Sequence, residues 1–225
     1  MLRTFIIAFA STLIVGCMAS YLFINKDYIL DNDKHVMVLF PLMQEAVVDN
    51  DMNLFSGRFI NDNRPPEIVF KDSAYINIAK VFKDSTKNVK VISLPSTIEE
   101  FQSQKDTLHF MSFTKIMGKD NLPYTFYIPK PEVIKELAGE VTIIVAINKL
   151  VFSYEEQTYG SSAPSVTGMT SKPLTIRQLT SVSHFIVYDY TKKEIISCGQ
   201  IHNLDKSFKR VGINIIKNTP FWKYK

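Results

Sequence analysis

Residues 141–154 read VTIIVAINKLVFSY, and this run constrains the fold more than any other. Its first half is apolar at both odd and even positions. In a strand those positions point to opposite faces, so both faces must be covered. The second half alternates, as a strand does where it protrudes or reaches an edge. The expectation is a central strand between two layers, and hence an α/β fold: a single domain with a mixed sheet flanked by helices.

Other segments supply the neighbours. His35 to Phe40 is a compact apolar run stopped by Pro41 and reads as a buried strand. Val89 to Leu94 is a second, closed by Pro95. Ser181 to Tyr190 and Glu194 to His202 read as two strands joined by Thr191–Lys193. Pro131 sits at the favoured first-turn position of a helix ending at Gly139, with Val133, Ile134 and Leu137 inward. Lys206 to Asn218 places Phe208, Val211, Ile215 and Ile216 at helical spacing. Glu67 to Phe70 reads as a short strand, followed by a helix capped by Asp72 with Tyr75, Ile78, Ala79 and Phe82 on one face. Ser96 and Glu99 fit a capping box. Leu108 to Thr114 suits either the end of that helix or a strand. Residues 49–66 read as a long loop. Residues 157–178, rich in Gly, Ser, Thr and Pro, read as a hairpin arm or a loop.

The amino terminus bears on location. Arg3 precedes an uncharged apolar stretch that begins at Phe5, the layout of a secretory signal. Ile14-Val15-Gly16-Cys17 resembles the bacterial lipobox. That resemblance implies cleavage between Gly16 and Cys17 and acylation of the Cys17 sulfur, which would tie the chain to membrane lipid. Each buried methylene would add about 0.8 kcal/mol of anchoring. The division expected is a signal over 1–16, a lipidated tether over 17–34 and one α/β domain over 35–225. The competing reading is an uncleaved membrane anchor over 5–24, because no charge interrupts Phe5 to Ile24. Both readings hold the domain outside the cytoplasm, in a bacterial cell envelope. Met18 after the cysteine, where aspartate would favour inner-membrane retention, points to the outer membrane.

Without Arg3 the chain carries 25 basic and 22 acidic residues. That balance lacks the strong basic field of a nucleic-acid binder. About 200 residues remain for the domain, enough for one sizeable core. Beyond Cys17 the chain has a single further cysteine, Cys198, so no disulfide framework is expected.

The search for chemistry finds fragments. Asp49, Asp51 and Asn53 start like a calcium loop, but Leu54 stands where glycine is needed and Ile60 where the bidentate glutamate belongs. Ser112 and Lys115 have serine–lysine spacing, which works only on a helix. His35, His109, His184 and His202 are far apart, although His184 and His202 lie on strands that are expected to pair. Glu99–Glu100 and Glu155–Glu156 are sequence neighbours whose side chains diverge on a regular element. Lys206, Lys209, Arg210 and Lys217 make the last helix basic on one side. No nucleotide, nucleophile-elbow or zinc-protease motif occurs, so no catalytic residue, metal ligand or cofactor is assigned.

The order of helix, long strand, polar excursion, strand hairpin and terminal helix over residues 130–218 is similar to one found in envelope lipoproteins. It resembles the superfamily of the TolB amino-terminal domain and the curli-secretion lipoprotein. The resemblance rests on Val187-Tyr188-Asp189 at a strand end, the turn Thr191–Glu194, and Gly199 in the next strand. Lys193 stands where the turn usually has glycine. The resemblance implies a mixed α/β sheet used for protein–protein contact in the envelope. Pore-forming hairpins of some relatives are not carried over, because 157–178 has no alternating apolar face.

The function expected is a non-enzymatic, membrane-tethered module that binds or assembles an envelope protein partner. Phe55, Tyr159 and Gly160 are its candidate contact residues, since loops on a rigid scaffold carry contacts. An envelope hydrolase would instead need a deep pocket with convergent polar groups, and a carrier of an apolar ligand would need an enclosed cavity lined by phenylalanine.

Overall fold

A computed structural model describes residues 21–30, 35–40, 46–48, 66–94, 109–119, 121–159, 174–203 and 207–224. Its elements are β1 (Tyr21–Ile24), β2 (His35–Leu39), β3 (Ala46–Val48), α1 (Pro66–Ser85), β4 (Val89–Ser93), β5 (Phe110–Met117), β6 (Leu122–Pro129), α2 (Pro131–Ala138), β7 (Ile143–Tyr159), β8 (Leu174–Asp189), β9 (Glu194–Asn203) and α3 (Phe208–Ile216).

One mixed sheet runs in the order β1-β9-β8-β7-β2-β4, and β3 continues the edge of β7 beyond β2. The pairs around β2, β3 and β4 are parallel, whereas β7–β8, β8–β9 and β9–β1 are antiparallel. β5 and β6 form a separate hairpin. The central position of β7 follows from its sequence. Ile143, Val145 and Ile147 enter one core, with Phe70, Ile78 and Phe82 of α1 and Val211, Ile215 and Ile216 of α3. Ile144 and Ala146 enter the other, with Phe126 and Ile128 of β6 and Ile134 of α2. The sheet is therefore the middle of three layers, with two helices on one face and a hairpin plus a short helix on the other.

The phenylalanines fill these cores ring against ring. Phe70, Phe152 and Phe208 form a triad with centroids 5.2–5.3 Å apart, edge to face, a geometry that adds to their burial. Tyr75 fastens α1 to the sheet by donating to the Leu39 carbonyl at 2.6 Å.

Two expectations are corrected. Glu67–Phe70 is helical, since α1 starts at Pro66 and its buried stripe continues from Ile78 through Ala74 to Phe70 at steps of four residues. Asp72 is accordingly a buried residue inside the helix and not its cap. Second, the stretch expected to be tether is partly built into the sheet. Tyr21–Ile24 pairs with Ser197–Gln200 of β9. Tyr28 is buried and donates to Asp189 Oδ2 at 2.8 Å. Of the Leu108–Thr114 stretch, Phe110–Thr114 is strand, as part of β5, and Leu108 lies outside the described residues. The capping box at Ser96 and the loop at 49–65 lie outside the described residues.

Candidate functional site

The site begins at one end of the sheet. Tyr21 opposes Gln200, Gln200 opposes His184, and His184 opposes Lys149, so four strands share one level. β1 begins here. β9 reaches only to Asn203, opposite Ser181, and β3 only to Val48, opposite Phe152. Past that point, from Ser153–Thr180 to Tyr159–Leu174, β7 and β8 pair only with each other among the described residues. They form a two-stranded ribbon leaving the same end at which the chain comes in. The Ser153 and Thr180 hydroxyls, 3.1 Å apart, mark its base.

Asn148 supports this end. The β7–β8 register shifts between Ile147 and Lys149, so Asn148 is the extra residue of a bulge. Its side-chain amide donates to the Tyr127 carbonyl and accepts from the Tyr127 N–H, both at 2.7 Å. One side chain thus acts as a short strand and clamps the β5–β6 hairpin across the sheet. The turn of that hairpin reaches Tyr21: a Cβ at Gly118 would lie 2.8 Å from the Tyr21 ring. Tyr124 bridges the Tyr21 ring at 6.1 Å and the His184 ring at 5.9 Å.

His184 is half-buried, and burial lowers its pKa; nearby Lys149 and His202 lower it further, while a hydrogen bond with Gln200 opposes them. The side chains of Gln200 and His202 are in contact. His184 and His202 thus lie on paired strands, close enough to interact electrostatically, with Gln200 opposite His184 and touching His202. No group of three potential metal ligands occurs among the described residues.

At the far end, Asp189 organises the β8–β9 turn. Its Oδ1 accepts from the N–H groups of Thr191 at 2.7 Å and Lys192 at 2.9 Å, while Oδ2 takes the Tyr28 hydroxyl. This is why an aspartate ends the strand. Lys193 adopts φ 55°, the conformation glycine would take without cost.

Ser112 and Lys115 lie on strand β5 and point apart, Ser112 outward and the Lys115 ammonium over the Phe23 ring at 4.2 Å. No serine–lysine pair forms. An open groove of about 490 Å³ lies beside them, lined by Phe23, Asn25, Lys115, Tyr188 and Glu194. Asn25 donates to Glu194 at 3.0 Å there. Cys198 is buried, and burial pushes its thiol up to about 12, leaving it unreactive. Lys209 and Arg210 on α3 and Lys217 just past its end are exposed, as the sequence predicted; Lys206 lies outside the described residues.

Of the residues singled out from the sequence, Tyr159 is the last residue of β7, opposite Leu174. Gly16, Cys17, Phe55, Gly160 and the calcium-like stretch at 49–53 lie outside the described residues, as do Glu99 and Glu100. Sequence reading missed Asn148 and Tyr28. A lone amide inside the apolar run IIVAINKLVF was the available signal for a bulge.

No family model matches the chain, and no curated protein matches it. Among solved structures, a neuraminyllactose-binding hemagglutinin homolog from Helicobacter pylori is 10% identical with a TM-score of 0.35, over 83% of this chain and 78% of that one. A dodecameric PelC from Paraburkholderia phytofirmans is also 10% identical, with a TM-score of 0.31, over 87% and 92%. At these values neither likeness carries an argument.

Proposed function

We propose that this protein is an envelope lipoprotein, held by an acylated Cys17, whose α/β domain binds or assembles another envelope protein. The observation that carries the anchoring half is β1. Because Tyr21–Ile24 is a strand of the sheet, the apolar stretch left to cross a membrane is Phe5–Ser20. As a helix it would be about 24 Å long, against roughly 30 Å of hydrocarbon. That supports the lipobox reading of Ile14–Cys17 over an uncleaved span. No helix among the described residues is long and apolar enough to cross a membrane.

The binding half is supported by the outer face of the β5–β6 hairpin. Ser112, Thr114 and Ile116 on one strand oppose Tyr127, Thr125 and Pro123 on the other, and all six are exposed. None of the six is charged. Uncharged surface containing tyrosine and isoleucine suits the centre of a protein contact.

The anchoring test is labelled fatty-acid incorporation in cells. Label on the wild type but not on Cys17→Ala supports the reading, and an unlabelled wild type overturns it. For binding, a photo-crosslinker at Thr125 should trap a discrete adduct in intact cells, and Ile116→Lys should abolish it. An adduct that survives Ile116→Lys, or none at all, removes this face from the proposal.

A further inference from the structure

The tether and the ribbon leave the same end of the sheet, and they differ in reach. Between Cys17 and Tyr21 the chain spans at most about 14 Å. Past the level of Tyr21, Gln200, His184 and Lys149, β7 and β8 continue through the ribbon's base at Ser153–Thr180 to its last described pair, Tyr159–Leu174. At the strand rise, Tyr159 lies about 33 Å beyond the level of Lys149, the last roughly 20 Å of it as the free ribbon. A lipid on Cys17 would therefore bring Tyr21 within about 14 Å of the bilayer, less than the distance β7 and β8 project past its level. With the strands steep to the surface the ribbon would then reach the bilayer, and only a domain lying on its β1 edge would hold it clear.

We propose that the β7–β8 ribbon, residues 154–159 and 174–179, is a second point of contact with the phospholipid surface that holds Cys17, and that the domain sits with its ribbon end down. The proposal rests on the lipoprotein reading. The ribbon's composition sets the depth of contact. Glu155, Glu156 and Arg177 interrupt its apolar residues, so neither strand has the continuous alternation of a lipid-facing barrel strand. Tyr154 and Tyr159 are residues that favour the headgroup level. The ribbon lies along the headgroups and does not cross the hydrocarbon. Lys119 at the hairpin turn, Lys149 on β7 and Lys209 in the first turn of α3 are exposed at this end and would draw it toward anionic lipid, against the ribbon's own excess of one acid, Glu155 and Glu156 facing Arg177 alone.

The test uses the mature, acylated full chain in vesicles of phosphatidylethanolamine and phosphatidylglycerol with headgroup spin labels. A fluorophore is placed at Gln157→Cys, and separately at Thr175→Cys on the paired strand, with Lys193→Cys at the opposite end as reference. Cys198 does not compete, since its thiol is buried. Quenching several-fold stronger at both ribbon positions than at 193 supports the proposal. Intact acylation of Cys17 with ribbon quenching no greater than at 193 overturns it and leaves the lipid anchor standing; this is the outcome if the ribbon instead meets a protein partner. Absence of acyl label on Cys17 overturns the anchor, and the proposal with it.

Discussion

Gly199→Ala should detach the first strand. A Cβ at Gly199 would lie 2.1 Å from the Tyr21 carbonyl oxygen and 3.0 Å from the Leu22 Cα, both backbone atoms. Relief needs a retreat of more than 1 Å by β1, which its ladder with Ser197–Gln200 cannot absorb. Losing the strand re-exposes Tyr21 and Phe23, each half-buried, at about 1 kcal/mol apiece. It also loses the Asn25 N–H to Ile196 carbonyl bond at 2.9 Å, at about 1 kcal/mol. The expected destabilisation is about 2–4 kcal/mol, read from urea unfolding in an unacylated Cys17→Ala background. Amide exchange of residues 21–24 should rise to the rate of unprotected chain while β7 stays protected. Wild-type stability with unchanged protection of 21–24 would refute the idea that Gly199 seats β1. The result bears on function, because a released β1 lengthens the link between Cys17 and the domain.

Asn148→Ala should cost about 2–3 kcal/mol and speed exchange at Tyr127, because both backbone groups of Tyr127 lose their partner; equal stability would show that the clamp is idle. Lys193→Gly should stabilise by about 0.5–1 kcal/mol in the same urea assay, since φ 55° is strained for lysine. Stability should fall as pH drops from 7 toward 5. His184 has a pKa below its unfolded value, chiefly from burial, so the unfolded chain takes up the proton first. His184→Gln should flatten that slope, and an unchanged slope would assign it elsewhere. Native Cys198 should resist alkylation at pH 8 and react once denatured, as its burial requires.

The main strands were legible because their residues carry the pattern locally. The doubly apolar 141–147 run became the centre of the sheet, and β2 and β4 end at Leu39 and Ser93, each two residues before a proline in the sequence. Asp189 and the Thr191–Glu194 turn were visible as a hairpin end. The start of α1 was misread because Val69 and Phe70, read alone, look like strand residues; only their alignment with Ala74 and Ile78 makes them helical. The tether was misread for the same kind of reason. Tyr21–Ile24 continues an apolar run in the sequence, and nothing local says that it pairs with residues some 175 positions away.

The order of residues alone marked the central two-faced strand, the inward faces of α2 and α3 and the later part of α1, because periodicity and turn chemistry act over a few neighbours. Which strand lies at each edge, that Asn148 holds a hairpin across the sheet, and that the ribbon and the beginning of β1 share one end were decided by tertiary structure. Those features depend on register between distant segments, and register is set by how whole faces pack.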